Sequence, residues 1–433
     1  MSFINPACDD IDALNYLSAK ILKKIKTGDL GNFLPEARMD VIDRFLKEIV
    51  EEDKIIISQK EVSRLAREIY EDSYSFGPIS FLINDDRITE IMINNFDEVY
   101  IEEDDAIKKT KIIFRDNNHI KNLVDKILSP LGLRLDESSP MVDARLKNGS
   151  RINVVLCPVT VNDVVVTIRK FKRNIMDIDS LKKEGTINNK IAGFIETCVK
   201  SKLNIIVSGA TSTGKTTFLN VISNFIQSYE RIVTIEETLE LNLNLPHVIK
   251  LESRPPNIEG KGEITIRDLV RNSLRMRPDR IIVGEIRGAE AVDVLQAMNT
   301  GHSGSMTTVH SNSPKDLVSR LETMILMSGL NLDPSTARRM MASSIDMIIH
   351  LGKLQNGKRI LLKISELINK SESMGGSTTL EVKDIYKYLS HNIEANNDKL
   401  PGGSTDYTGY IPAFMDKIKN HGFNFNFGDE NEI

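Results

Sequence analysis

The sequence predicts an α/β fold with a mostly parallel sheet in its second half, and three observations predict it. Short apolar runs at Asn204–Val207, Arg231–Ile235, Arg280–Val283, Ser305–Val309 and Asp346–His350 alternate with stretches of helical periodicity from Ile187 to about Leu367. The first run enters Gly209-Ala210-Thr211-Ser212-Thr213-Gly214-Lys215-Thr216, a loop of the form G-x-x-x-x-G-K-T. Behind it, Thr217–Ser228 carries Phe218, Leu219, Ile222 and Ile226 at helical spacing. A strand, a glycine turn and a helix start in that order are the context a phosphate-binding loop needs.

The elements before and after follow in turn. Residues 1–75 read as a helical bundle with three apolar stripes: Leu14, Leu17, Ile21 and Ile25; then Ile42, Phe45, Leu46 and Ile49; then Val62, Leu65, Ala66 and Ile69. Gly28, Gly31 and Pro35 break the first from the second. Lys20, Lys23, Lys24 and Lys26 make the first helix basic on its other side, a solvated face in preference to a lipid contact. Residues 76–171 change to an α+β texture. Strand-like runs occur at Ile91–Asn94, Val99–Ile101, Lys111–Phe114, Arg151–Leu156 and Val164–Ile168, with a helix at Asn118–Leu131. The polar segment 172–186 reads as a linker, 187–370 as the α/β domain, and 371–433 as a short α/β tail. Two helix starts are marked by hydroxyl caps with an acid three residues on, Thr265 with Asp268 and Ser313 with Asp316.

Composition narrows the class. A chain of 433 residues is long enough for two or three domains. Its net charge of −5 argues against a stable nucleic-acid partner. Cys8, Cys157 and Cys198 are odd in number and far apart, which fits a reducing cytosol better than a disulfide framework or a zinc site. No apolar run is long enough to span a bilayer and no signal pattern opens the chain, so membrane association is expected to be peripheral, through partners.

The loop sets the chemistry expected of its surroundings. Its glycines let successive amides point at phosphate oxygens, and the following helix adds its positive end. Lys215 is then placed for the β- and γ-phosphates of a nucleotide and the Thr216 hydroxyl for Mg²⁺. Gly209 to Thr217 form the expected binding set. Glu285 ends an apolar strand where α/β sheets bind ligands, against the plain alternative of a solvated acid. Glu236, Glu237 and Glu240 end another strand; adjacent carboxylates repel unless a cation lies between them, and an exposed acidic turn is the rival reading. His302 and His310 bracket the Ser305–Val309 strand and are expected near a γ-phosphate. Arg151 and Arg169 lie on strands of the preceding domain, suited either to phosphate contact or to an ion pair on a sheet face.

Together these residues resemble the secretion ATPase superfamily, the traffic ATPases of type II and type IV secretion and of type IV pili. Four motifs occur in that family's order: the phosphate loop at 209–216, an acidic box at 231–240, the strand ending at Glu285, and a histidine box from Gly301 to His310. The segments Arg254–Gly262, Met276–Arg280 and Gln296–His302 look like the CpaF branch of tight-adherence (Tad/Flp) pili. The resemblance implies a RecA-like P-loop NTPase domain, a PAS-like α+β domain before it, ATP and Mg²⁺ as cofactors, and a homohexameric ring at the inner face of the cytoplasmic membrane. Inner-membrane platform proteins are the implied partners, in pilus assembly or, alternatively, in type IV or conjugative secretion; a DNA-translocating ATPase is the more distant option. It also implies roles. Lys215, Glu236 and Glu285 are the catalytic set, and Thr216, Glu285 and Glu237 hold the metal, the acids through water. Arg151, Arg169, His302 and His310 approach the phosphates. Glu237 replaces the usual Asp, and Ser212-Thr213 replaces a more glycine-rich pair.

Overall fold

The computed structural model describes residues 16–17, 20–21, 35–55, 57–103, 106–146, 148–170, 176–256, 261–354, 356–371, 378–390 and 403–427. The chain divides into two compact units, Met1–Lys172 and Arg173–Ile433.

In the first unit, helices Pro35–Glu52 and Gln59–Tyr74 bury Ile42, Leu46 and Ile49 against Val62, Leu65, Ala66 and Ile69. Leu17 and Ile21 join that core; Leu14, Ile25, Lys23, Lys24 and Lys26 lie outside the described residues. The second helix starts at a capping box in which Ser58 and Glu61 exchange side-chain and backbone bonds. An antiparallel sheet follows, built of β1 (Ile88–Asn95), β2 (Glu98–Glu103), β3 (Ala106–Lys109), β4 (Met141–Arg145), β5 (Arg151–Leu156) and β6 (Val164–Arg169). Its order is β3-β2-β1-β6-β5-β4. Helix Asn117–Leu128 packs Ile120, Leu123, Val124 and Leu128 into the core on one face of that sheet.

One expectation is corrected here. Lys111–Phe114 is not a strand: Phe114 drops into the core with its amide on the Phe96 carbonyl, and Ile113 faces outward. The edge strand is instead Ala106–Lys109, all exposed, and so without the alternation that would have revealed it. His119 is tied by Nε2 to Asp72, 2.9 Å away, and joins the bundle to the sheet.

The second unit is a nine-stranded sheet: β7 (Ile205–Gly209), β8 (Ile232–Glu236), β9 (Val248–Glu252), β10 (Arg280–Ile286), β11 (Met306–His310), β12 (Met347–Lys353), β13 (Arg359–Ser371), β14 (Thr378–Ser390) and β15 (Gly403–Tyr407). The order is β15-β14-β13-β12-β7-β11-β10-β8-β9. From β9 to β12 all pairs are parallel; β13, β14 and β15 join antiparallel. The inner parallel strands β7, β8 and β10 are buried almost throughout because helices cover both faces, which is why they read as unbroken apolar runs, whereas β9 is partly exposed. One face packs Phe194, Ile195, Phe218 and Tyr386, the other Leu295, Met298, Leu321 and Met341.

The boundaries expected around this unit shift. The 172–186 segment contains the helix Ile178–Lys183. Residues beyond 370 are not a separate body, since β14 and β15 extend the same sheet and Phe414 and Ile418 enter its core beside Phe194. Among the described residues no helix is long and apolar enough to cross a membrane.

Candidate functional site

Strands β8, β10, β11 and β7 are neighbours, and their C-terminal ends bring together Glu236, Glu285, His310 and Gly209. Gly209 hands the chain to the loop and then to helix Lys215–Ser223. A side chain at 209 would put its Cβ 2.6 Å from the Leu351 carbonyl oxygen, so only glycine lets β12 pass this closely. Gly214 caps the helix in the left-handed region, with φ of 87°. Among the described residues, the amides of Thr211 to Lys215 make no hydrogen bond within the chain. Those donors at a helix N-terminus fit a phosphate chain.

Lys215 is buried. Its Nζ donates to the Ala210 carbonyl at 2.9 Å and lies 3.1 Å from His310 Nδ1. Burial pushes its ammonium below the usual lysine range, with Glu285 opposing. Lys215 can only donate, so Nδ1 of His310 accepts and its proton sits on Nε2, 2.8 Å from Glu285 Oε1. That N–H does not point along the contact, which leaves Oε1 buried without a hydrogen bond. Burial first, then the Lys215 charge, holds the His310 imidazole below its ordinary pKa, with Glu285 pulling the other way. The far oxygen of Glu285 accepts from Arg287 Nη2 at 2.7 Å, and Arg287 Nη1 donates to Glu237 Oε2 at 2.9 Å. One chain of charged contacts thus runs from the loop through Lys215, His310, Glu285 and Arg287 to Glu237.

Two features aim Glu285. An extra residue on β10 relative to β11, between Val283 and Ile286, bulges the strand at Gly284-Glu285. Thr308 Oγ1 holds that bulge by donating to the Gly284 carbonyl at 2.7 Å. A side chain at Gly284 would crowd Glu236, since its Cβ would lie 3.0 Å from Glu236 Cγ.

Glu236 is nearly inaccessible. Oε1 accepts from the amides of Glu240 and Leu241, each at 2.9 Å, and Oε2 is buried without a partner. Burial raises its carboxyl pKa to about 7, against the two amide bonds that lower it. A carboxyl raised in the folded state favours folding while protonated, so that stability is present below 4.5 and is lost as pH rises through 7. Relative to Glu236→Gln, the wild type is therefore expected to lose about 3 kcal/mol across that window. Chemical denaturation of both proteins on either side of it provides the check; a difference that does not change with pH refutes the assignment.

The other expected residues are placed as follows. Thr216 is half-buried beside Lys215, and Thr217 is exposed. Glu237 is bound to Arg287 rather than left open to a cation. His302 is not brought to the loop: it precedes β11, at the edge of the sheet opposite to His310, where its carbonyl accepts from Ser305 Oγ. Arg151 and Arg169 belong to the first unit, directly opposite one another on β5 and β6, with Arg145 opposite Arg151 on β4. Two residues were not anticipated, Arg287 and Arg320. The cation needed between Glu237 and Glu285 was the available signal for Arg287. Among the described residues, no group of three or more His, Cys, Asp or Glu side chains could hold a metal by itself. Mg²⁺ bound with phosphates needs only one or two carboxylates, and the chemistry of Glu285, with its buried Oε1, and of the Thr216 hydroxyl fits that donor set.

A parallel sheet whose inner strand feeds a G-x-x-x-x-G-K-T loop, with acids on neighbouring strand ends, defines a phosphate-loop α/β protein. Residues 72–374 match the family described as Type II/IV secretion system protein, and the chain belongs to that family. It is 33% identical over 318 residues to a putative conjugal transfer protein of Mycobacterium tuberculosis, covering 72% of this chain and 90% of the relative. The type IV secretion system protein VirB11 of Bartonella henselae is 27% identical over 326 residues, with 67% and 90% covered. Among solved structures, the VirB11 ATPase of Brucella suis is similar at 26% identity and a TM-score of 0.37, covering 67% of this chain and 92% of that one. The Legionella pneumophila ATPase DotB is similar at 21% identity and a TM-score of 0.49, covering 66% and 78%.

Proposed function

We propose that this chain is a Mg²⁺-dependent ATPase that powers a secretion or pilus machine. The observation that carries the reading is the connected row Lys215–His310–Glu285–Arg287, set against the open amides of the phosphate loop. In this reading the loop amides and Lys215 grip the β- and γ-phosphates. Lys215 leaves His310 and the Ala210 carbonyl to do so. Thr216 and, through water, Glu285 would hold Mg²⁺, which when bound would neutralise charge developing on the phosphates. Water adds its oxygen to the γ-phosphorus, the bond from the bridging oxygen to that phosphorus breaks, and ADP leaves with the bridging oxygen. The water's proton passes to Glu236, whose uncommitted Oε2 and pKa of about 7 suit a base working near neutrality.

Arg151, Arg169 and Arg145 form a cationic row suited to meeting the same phosphates in a homohexameric ring with two-domain subunits, at the inner face of the cytoplasmic membrane. Tad/Flp pilus assembly through inner-membrane platform proteins is the proposed work. The relatives, named as conjugal transfer and type IV secretion proteins, favour conjugative secretion as the second reading, with the same chemistry and different cargo. Glu236→Gln and Glu285→Gln are each expected to keep ATP binding and lower turnover by about a hundredfold or more. Steady-state phosphate release together with nucleotide titration measures both; a wild-type chain without ATP turnover refutes the reading.

A further inference from the structure

Beside the phosphate loop, past His310, lies an open cleft of about 450 Å³ lined by Ala210, Thr211, Arg287, Ser311, Asp316 and Arg320, together with His310 itself. Its wall is more polar than the role of a nucleotide base would ask. Ser311 is 4% exposed, and its Oγ is buried without a partner although the residue lines the cleft. Arg320, on helix Pro314–Leu326, forms no hydrogen bond or ion pair among the described residues. Arg287 supplies a second guanidinium. The single acid, Asp316, is occupied locally: its Oδ2 accepts from the Asn312 amide at 2.9 Å. The lining therefore carries two guanidinium groups and one carboxylate, with Arg287 already bonded to Glu285 and Glu237 so that Arg320 is the cation left for an anion, and its inner end is the backbone of the phosphate loop.

We propose that this cleft is a second anion site, which receives the inorganic phosphate cut from ATP, with Arg320 and Ser311 as its ligands and Arg287 as the group shared with Glu285. The site rests on the hydrolytic reading for the source of its ligand. Hydrolysis turns one bound triphosphate into ADP and a free phosphate that carries the water's oxygen, and the two anions repel while they share the loop. A guanidinium a short step away takes the phosphate bidentately. Its departure frees Lys215 to return to His310.

The test is binding of inorganic phosphate to the full chain saturated with ADP and Mg²⁺, measured by calorimetry. One phosphate per chain is expected. Arg320→Ala should weaken it about tenfold and Ser311→Ala severalfold, with Arg320→Lys between wild type and Ala and ADP affinity unchanged in all three. Product inhibition of turnover by phosphate should weaken in the same order. Phosphate affinity untouched by Arg320→Ala and Ser311→Ala, in a chain that hydrolyses ATP normally, overturns the site. Loss of ADP affinity in step with phosphate affinity overturns it too, because the two anions would then share one site. A wild-type chain that binds phosphate as expected yet does not hydrolyse ATP supports the anion site and refutes the hydrolytic reading.

Discussion

Lys215→Ala is expected to lower ATP turnover by about a thousandfold, the largest effect on activity of any single change in the chain. The lysine is a cation buried against the loop, and in the proposed reaction its loss removes charge stabilisation that grows as the β–γ bond breaks. It also releases His310, whose Nδ1 loses its donor. The measurement is turnover beside ADP affinity, which the loop amides should largely preserve. A variant turning over at the wild-type rate removes Lys215 from the chemistry.

Arg280→Ala is expected to cost about 3–5 kcal/mol of stability, the largest structural loss. Arg280 is the largest fully buried side chain and faces Glu230, which is 1% exposed. Its Nε and Nη2 each donate to Glu230 at 2.8 Å, and Nη1 donates to the Val199 carbonyl at 2.8 Å. Burial alone would push the Glu230 carboxyl up, and the Arg280 hydrogen bonds and charge more than offset it, so it sits below the usual range. Removing the arginine strands that carboxylate with only Lys202 beside it, 3.2 Å away. The double variant Arg280→Met/Glu230→Leu should recover most of the loss, since apolar groups of similar volume need no partner. Urea unfolding of the single and double variants decides it; a single variant within about 1 kcal/mol of wild type contradicts the buried-pair argument.

These two residues also mark how far the sequence could be read. β7, β8, β10, β11 and β12 were legible because strands covered on both faces become short apolar runs, and Gly209, Lys215 and Glu285 stood out by spacing. β13 and β14 were not, since polar residues interrupt their apolar ones without a clear period, and β9 has the exposed Lys250 at its centre. His302 was drawn towards the phosphate by its place in the motif, but a strand of five residues separates the two ends of that motif by roughly 13 Å. Arg287 and Arg320 could not be found by period or motif. They matter because the sheet and a helix from a later segment converge there, and only the folded chain makes that convergence visible.

β13 begins at Arg359, whose Nε donates to the Ser212 carbonyl at 3.1 Å and whose Cδ lies under Gly214. The same strand then runs to Ser371, paired to β12 over Arg359–Glu366 and to β14 over Lys363–Ser371, with one register shift in each pairing. Twelve further residues of extended chain span ~40 Å. The phosphate loop is thereby joined to the outer rim of its own sheet, so a small shift at Ser212 would be delivered through β13 to a surface remote from it, and the chain after Arg359 is built into this unit rather than appended to it.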